Sequence, residues 1–288
     1  DLTACQDAFS MLKVADGLRE RDLYKKADCI VMNPPFCPVE CPAEVDWGSG
    51  MISGAAVFVT TAIAKMRNGA AIAAVLPDVL RSGTRYKKWR GTIENSIAIE
   101  STRAFGLFDK WADVDVFVLL GERTKQTRAQ VGNSHVWWAT KTPRHTVALG
   151  SQFDIAVGPV VPHRHEHEGT KYPYIHARSV EPWRTLHEAA ERRQFTGTVF
   201  TPPFVVVRRT SRPGDKHRAI AGIVKGTEPV AVENHLIVCS PKRGTVRECE
   251  ALLRALRDAS VDSWLDSRIR CRHLTVSALA DLPVMLKP

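Results

Sequence analysis

The chain has 288 residues, of which 44% are apolar and 25% charged, and its formal net charge is +9. These values are typical of a folded globular protein, and the length is comfortable for two domains. No run of about 18 apolar residues occurs, so the sequence predicts no transmembrane helix. No basic start leads into an apolar stretch, so we expect no signal peptide.

The cysteines and histidines bear on compartment and metal binding. Seven cysteines without a regular framework favour reduced thiols and therefore a cytoplasmic protein. Cys37 and Cys41 could form half of a metal site, but no second Cys/His pair at matching spacing follows nearby. The histidine-rich segment 163–167 does not have the spacing of a known ligand set. We therefore expect no metal site and read that segment as a solvated loop.

The first part of the chain alternates strands and helices. The pattern is typical of an α/β fold with a mainly parallel sheet covered by helices. The last two strands have a short link, which predicts an antiparallel pair. The predicted strands are 27–32, 70–76, 97–105 and 114–120, and the predicted helices are 51–68 and 84–95.

The later part of the chain has a different sequence pattern, with short apolar strands, Gly/Pro-rich turns and amphipathic helices. These features predict a separate α+β unit. Its predicted strands are 204–209, 219–224 and 235–239, and its predicted helices are 248–259, 260–269 and 276–282.

The sharpest motif is Asn33-Pro34-Pro35-Phe36, at the end of the first predicted strand. Ligands of open α/β sheets bind beyond the carboxyl ends of strands, and two prolines stiffen the loop. The Asn33 side-chain oxygen and the Pro34 carbonyl could accept both N–H groups of an exocyclic amine. Phe36 could stack on the base, which must first leave the duplex. The alternative is an ordinary strand-to-loop turn.

This motif resembles the hallmark of the S-adenosylmethionine-dependent amino-methyltransferases of DNA, which is Asn/Asp/Ser-Pro-Pro followed by an aromatic residue. The Asn-Pro-Pro-Phe form is similar to N6-adenine enzymes, including those of type I and type IIG restriction–modification systems. Asp7-Ala8-Phe9, Leu76-Pro77-Asp78 and segment 105–110 extend the resemblance. It implies that Asp7 and Phe9 contact S-adenosylmethionine and that Phe36 and Phe108 sandwich the target adenine.

The chain departs from the family in one respect. The family has a Phe-x-Gly-x-Gly loop and an acidic ribose ligand before the Pro-Pro motif, and neither is present here. Only 32 residues precede Asn33, too few for three strands and their helices. We therefore expect residues 1–125 to form a partial Rossmann-like methyltransferase sheet without its first strands; either the missing part lies on an upstream segment or the chain is truncated.

Residues 186–288 resemble, more weakly, a target-recognition domain of the restriction specificity type, with 126–185 as a connector. Such domains read base edges and grip phosphates with Arg and Lys. Residues 151–288 carry 21 Lys+Arg against 15 Asp+Glu, which suits a nucleic-acid partner, although charged turns often only face solvent. The predicted DNA contacts are Arg208, Arg209, Arg212, Lys216 and Arg218, with Lys87 and Lys88 on the catalytic side.

The resemblance implies methylation of adenine N6 in double-stranded DNA, within a restriction–modification or phage-defence system that can include partner restriction subunits. Asn33, Pro34, Pro35 and Phe36 would be the catalytic residues. Two alternatives stay open. One is a DNA-binding specificity subunit with an inactive methylase half. The other is a methyltransferase acting on protein glutamine or on RNA, since the same motif serves those substrates.

Overall fold

The computed structural model describes residues 15–19, 21–124, 136–138, 143, 145–187 and 189–286. The chain divides into two compact units: the first comprises 1–81 and 85–138, and the second comprises 82–84 and 139–288. The domain limits predicted from the sequence, at 125 and 186, stay predictions. No helix within the described ranges has the length and apolar character needed to cross a bilayer.

As far as residue 123, the described residues form each predicted strand and helix, together with four short elements that the sequence does not predict. The strands are β1 (Cys29–Met32), β2 (Pro38–Glu40), β3 (Met51–Ser53), β4 (Ala71–Pro77), β5 (Ile97–Asp109) and β6 (Ala112–Arg123). The helices are α1 (Arg21–Lys26), α2 (Gly54–Lys65), α3 (Asp78–Ser82) and α4 (Lys87–Glu94), the last preceded by a 3₁₀ turn, Thr84–Tyr86.

The sheet of the first unit has the strand order β1-β4-β6-β5. Strands β1 and β4 are parallel, with Cys29 opposite Ala71, whereas β4–β6 and β5–β6 are antiparallel. The antiparallel pairing of the last two strands is confirmed. The sheet is mixed, not mainly parallel, because the β5–β6 hairpin folds back and inserts β6 beside β4.

The core of the first unit lies on one face of this sheet. Helix α2 buries Ala55, Val59 and Ile63, and α4 buries Trp89. An almost uncharged helix is stable in water only when most of its surface is covered. The helices thus cover one face, while Val31 on the other face is 80% exposed.

The helix predicted for 51–68 begins only at Gly54, because Met51–Ser53 pairs with β2 instead. The β5–β6 hairpin is also longer than predicted. Residues 106–113, read as a link, are mostly strand, and the turn is limited to Lys110 and Trp111.

The second unit is richer in strands. Its strands are β7 (Val147–Ala148), β8 (Phe153–Val157), β9 (Thr170–Ile175), β10 (Thr185–Leu186), β11 (Glu191–Phe195), β12 (Phe204–Arg208), β13 (Ala221–Val224), β14 (Ala231–Val232), β15 (Leu236–Pro241) and β16 (Pro283–Val284). Its helices are α5 (Leu149–Gln152), α6 (Val246–Ala255), α7 (Ala259–Arg268) and α8 (Val276–Ala280).

Strand β12 is the middle of the main sheet of this unit, whose order is β10-β13-β12-β15-β8. Its successive side chains alternate between two apolar clusters: Val205 and Val207 in one, Phe204 and Val206 in the other. Burial on both faces explains why the apolar run was easy to predict. Because β8 and β9 also belong to sheets of this unit, much of segment 126–185 is not a separate connector.

Candidate functional site

The Asn33–Phe36 loop leaves the carboxyl end of β1, as the sequence predicts. Pro34 is buried and Phe36 half-buried, whereas Asn33 and Pro35 are exposed. A side-chain amide has one acceptor oxygen, and at an exposed position it can receive an incoming N–H group. The loop therefore combines a fixed backbone with an accessible acceptor, as an amine-orienting site requires.

The start of α2 holds this loop in place. The Gly54 N–H donates to the Cys37 carbonyl at 2.9 Å. A Cβ atom at Gly54 would lie 3.0 Å from the Cys37 oxygen and 3.2 Å from the Pro35 oxygen. One residue earlier, the Ser53 N–H donates to the buried Tyr86 hydroxyl at 2.9 Å. Sequence reasoning missed both supports, since it placed Gly54 inside a longer helix.

We expect Gly54→Ala to destabilise the first unit by about 1 kcal/mol, because the added methyl group crowds two backbone carbonyls that cannot rotate away. Gly91→Ala is the matched control: it lies in α4, and nothing stands within 4 Å of its Cβ position. That variant should gain about 0.5–1 kcal/mol from helix propensity. Urea unfolding measures the change in the free energy of unfolding for both variants. Equal stabilisation of the two would mean that the Cys37 and Pro35 carbonyls do not crowd a side chain at position 54.

The two aromatic residues assigned to the target base lie together. The rings of Phe36 and Phe108 are 5.5 Å apart between centroids, with an interplanar angle of 68°. For a base to stack between two parallel rings, the planes of the rings must lie about 7 Å apart, since each contact between base and ring spans roughly 3.5 Å. In this arrangement the two rings contact each other edge to face, so a base could stack between them only if one ring turned aside. The predicted sandwich of the base stays a prediction.

Phe108 is one of several large apolar residues near the end of the β5–β6 hairpin that are exposed to solvent. It is 44% exposed, Phe105 is 74% exposed, Leu107 is 55% exposed and Trp111 is 83% exposed. Where exposed apolar residues form a contiguous patch, that patch commonly marks a contact surface. Of these residues, the sequence analysis assigned a functional role to Phe108 alone.

The segment after β4, which also supports the resemblance, has a structural role. Asp78 and Arg81 form an ion pair of 2.7 Å in which both side chains are 2% exposed. Arg81 also donates to the Trp137 carbonyl at 3.0 Å. Lys87 and Lys88 are exposed at the start of α4, so the structure leaves them accessible to DNA.

The basic turn of the second unit divides into accessible and internal residues. Arg212 and Lys216 are exposed. Arg218 is 1% exposed, pairs with Asp266 at 2.9 Å and donates to the Ile269 carbonyl at 2.7 Å. The prediction of Arg218 as a DNA contact is therefore wrong, because its guanidinium group is enclosed and holds the unit together.

Arg208 and Arg209 are half-buried, and both donate hydrogen bonds to backbone carbonyls of the protein. Arg208 donates to the Val180 carbonyl at 2.7 Å. Arg209 donates to the carbonyls of Leu274 and Asn234, both at 3.3 Å. Their roles as DNA contacts stay predictions.

The predicted cofactor contacts, Asp7 and Phe9, lie outside the described residues. Within the described ranges, no three His, Cys, Asp or Glu side chains lie close enough together to hold a metal ion. In the histidine-rich segment, the His165 ring accepts from the Val161 N–H at 3.2 Å and contacts Phe195. Burial raises the pKa of the Cys239 thiol to about 12, so that thiol stays protonated.

The architecture belongs to the mixed α/β class with several sheets, and a restriction–modification enzyme shares it. The type IIL restriction–modification enzyme MmeI, solved in complex with DNA, aligns with 96% of this chain and 51% of its own, with a TM-score of 0.53 and 10% identity. At this identity the likeness establishes the fold alone.

Two further solved structures align less well. The type IIG restriction endonuclease BpuSI covers 93% of this chain and 48% of its own, with a TM-score of 0.42 and 12% identity. The HsdS subunit from Thermoanaerobacter tengcongensis covers 50% and 34%, with a TM-score of 0.33 and 18% identity. The chain spans about half, or less, of the length of these structures. No family model and no curated protein matches the sequence.

Proposed function

We propose that this chain is part of a restriction–modification enzyme that methylates adenine N6 in double-stranded DNA. The observation that carries the proposal is the contact between Phe36, in the loop after β1, and Phe108, on the β5–β6 hairpin. The resemblance to the methyltransferases assigns both residues to the same target base, although they lie far apart in the sequence. The fold shared with MmeI, which was solved with DNA, supports the same role.

Asn33 and Pro34 would orient the amine. Adenine N6 carries two N–H groups, and the Asn33 side-chain oxygen and the Pro34 carbonyl provide two acceptors on adjacent residues. With both N–H groups held, the nitrogen lone pair faces the methyl donor. Holding the reacting atoms in line is a large part of catalysis when no covalent enzyme intermediate forms. The hydrogen bond from the Gly54 N–H to the Cys37 carbonyl, directly after the motif, would help to restrain the backbone of the loop.

S-adenosylmethionine, which the resemblance implies, would supply an electrophilic methyl group. The described residues do not fit a complete site for it: no strand among them is followed by a Phe-x-Gly-x-Gly loop, and Asp7 and Phe9 lie outside them. The proposed roles of the described residues therefore concern the acceptor base alone.

The closed Phe36–Phe108 pair implies that base entry and ring separation are coupled. An edge-to-face aromatic pair contributes about 0.5–1.5 kcal/mol, whereas stacking of a base on an aromatic ring contributes about 1–3 kcal/mol. Replacement of the ring-to-ring contact by ring-to-base stacking is thus favourable or neutral. The two rings would therefore separate when a base enters between them.

We expect Phe108→Ala to reduce methyl transfer about tenfold or more, since the base loses one stacking surface. The melting temperature should change little, because Phe108 is 44% exposed. Phe105→Ala is the control: this neighbour is 74% exposed and makes no contact with Phe36 among the described ring pairs. Equal losses in the two variants would indicate a general role of the hairpin and not a stacking role of Phe108.

The function is tested by transfer of a labelled methyl group from S-adenosylmethionine to duplex DNA. The chain as printed and a version extended upstream of Asp1 are compared, with a duplex of G·C pairs alone as the control. Transfer to adenine-containing DNA by either version supports the proposal. DNA binding without transfer in either version favours a DNA-binding subunit, and labelling of protein or RNA in place of DNA favours the other alternative.

A further inference from the structure

We propose that Asp262 and Asp266, on helix α7, are positioning residues that hold residues 212–218 in the shape in which this segment contacts the backbone of duplex DNA. We call residues 212–218 the basic loop. This role rests on the DNA-binding part of the proposed function and deepens it. Two acidic residues of the second unit thereby serve DNA binding without touching the DNA themselves.

The two carboxylates receive backbone N–H groups of the basic loop. Asp262 accepts from the N–H groups of His217 and Arg218, each at 2.8 Å and each on a different carboxylate oxygen. Asp266 accepts from the Gly214 N–H at 3.0 Å. Because they lie four residues apart on α7, the two carboxylates stand on the same face of this helix. Three backbone N–H groups of the loop are therefore attached to one helix.

The conformation held in this way is one that most side chains disfavour. His217 has a φ of 60°, in the left-handed region, and Trp183 has a φ of 64°. The rings of these two residues contact each other, with their centroids 5.2 Å apart. Left-handed backbone is uncommon for residues other than glycine, and for a bulky residue it is an outlier. Such conformations persist only where surrounding contacts over-determine them, and they concentrate at functional sites. The fixed shape of the basic loop therefore calls for a function on its exposed side.

The exposed side of the basic loop carries two cations. Arg212 and Lys216 are exposed, and no carboxylate of a described residue lies within ion-pair distance of either side chain. Asp215 lies between them in the chain, and its carboxylate accepts from the Arg212 N–H at 2.6 Å. Arg and Lys side chains donate to DNA phosphates, and these contacts fix the register of a protein on the duplex. The loop therefore presents two phosphate donors from a shape that is already fixed.

Attachment of the loop to α7 in the free protein strengthens DNA binding without adding a contact. A mobile loop loses conformational freedom when it binds, and this loss subtracts from the binding free energy. When the two carboxylates hold the loop before DNA arrives, that freedom has already been lost on folding. The expected signature is slow amide hydrogen exchange at residues 214–218 in the free protein, which DNA changes little.

Asp262→Asn tests the carboxylate, since a side-chain amide offers one acceptor oxygen to the two backbone N–H groups. Removal of a negative charge would by itself strengthen the attraction to DNA. Loss of positioning predicts the opposite result, a DNA affinity about three- to tenfold weaker. Fluorescence anisotropy with a labelled duplex measures the affinity. Asp154→Asn, which changes an exposed aspartate on β8 of the same unit, is the matched control and should bind at least as tightly as the parent chain.

A second variant changes the shape of the loop and leaves α7 untouched. Gly214 has a φ of 83°, and nothing stands within 4 Å of its Cβ position. Gly214→Ala therefore disfavours the conformation of the loop without crowding a neighbour, and it should weaken DNA binding about threefold or more. Gly244→Ala is the matched control, with a φ of 69° and an equally open Cβ position in the turn before α6. It should lose similar stability and keep its DNA affinity, whereas equal weakening in both variants contradicts a specific role of the loop.

Combined variants test the link between the carboxylate and the two cations. In a chain with Arg212→Ala and Lys216→Ala, the basic loop has no cationic side chain left to position. The slope of log affinity against log salt should be lower in this chain by about 1 for each lost phosphate contact. Addition of Asp262→Asn should then cause no further loss of affinity. A further loss as large as in the parent chain overturns the positioning role.

The remaining outcomes separate the positioning role from the proposed function. Unchanged or tighter DNA binding in Asp262→Asn overturns the positioning role and leaves methyl transfer to adenine untouched. Amides of the basic loop that exchange freely until DNA is added overturn it as well. Failure of the parent chain to bind duplex DNA overturns the positioning role and the DNA-binding role together. Thermal unfolding of each variant verifies that the fold is retained.

Discussion

Asn33→Ala should lower the rate of methyl transfer at least about 100-fold, the loss expected when a reacting group is no longer held in its productive geometry. The variant removes the acceptor oxygen that would hold one N–H of the target amine. Because Asn33 is exposed at the end of β1, its truncation leaves no cavity and should not affect folding or DNA binding. Single-turnover labelling of duplex DNA, in whichever version of the chain is active, measures the effect.

Asn68→Ala is the matched control, since this asparagine is exposed in the turn after α2. It should retain full activity. A DNA affinity unchanged in Asn33→Ala, together with lost transfer, separates a catalytic role from a binding role. Activity that persists in Asn33→Ala would show that the loop after β1 is not the acceptor site.

Arg218→Ala should lower the free energy of unfolding of the second unit by about 3–5 kcal/mol, the usual cost of removing one partner of a buried ion pair. Its guanidinium pairs with Asp266 and donates to the carbonyls of Ile269 and Cys271 and to the Ser211 hydroxyl. All of these groups would lose a partner, and the carboxylate would stay in a partly covered position. Urea unfolding followed by circular dichroism measures the loss.

Arg212→Ala provides the contrast within the same turn. Arg212 is exposed, so its truncation should change stability by less than about 0.5 kcal/mol. If Arg218→Ala were as stable as the parent chain yet bound DNA more weakly, the buried network would be wrong and Arg218 would be a surface contact after all.

Elements with an uninterrupted apolar run were predictable from the sequence. Strands β1, β4 and β12 and the β5–β6 hairpin lie where apolar and β-branched residues concentrate, because the core covers at least one face of each of them. Strands β9 and β11 were missed. Their sequences, TKYPYI and ERRQF, are largely polar, and they pair with each other at a small sheet where burial is incomplete. Only tertiary pairing defines such strands.

The candidate site was predictable to the extent that it is local. The Asn33–Phe36 motif is contiguous, so its position after a strand could be read directly. The distinction between Arg212 and Arg218 could not, because it depends on whether a guanidinium meets solvent or the end of α7.

Several arginine side chains of this protein are buried and join separate chain segments through hydrogen bonds and ion pairs. Arg81, Arg90, Arg193, Arg218 and Arg268 are all less than 9% exposed. Arginine is rarely this buried unless its charge and N–H groups are matched by partners. Anyone redesigning the chain to alter its solubility or its adhesion to nucleic acid should therefore leave these five positions unchanged and vary the exposed lysines and arginines, since the formal charge of +9 includes cations that hold segments of the fold together.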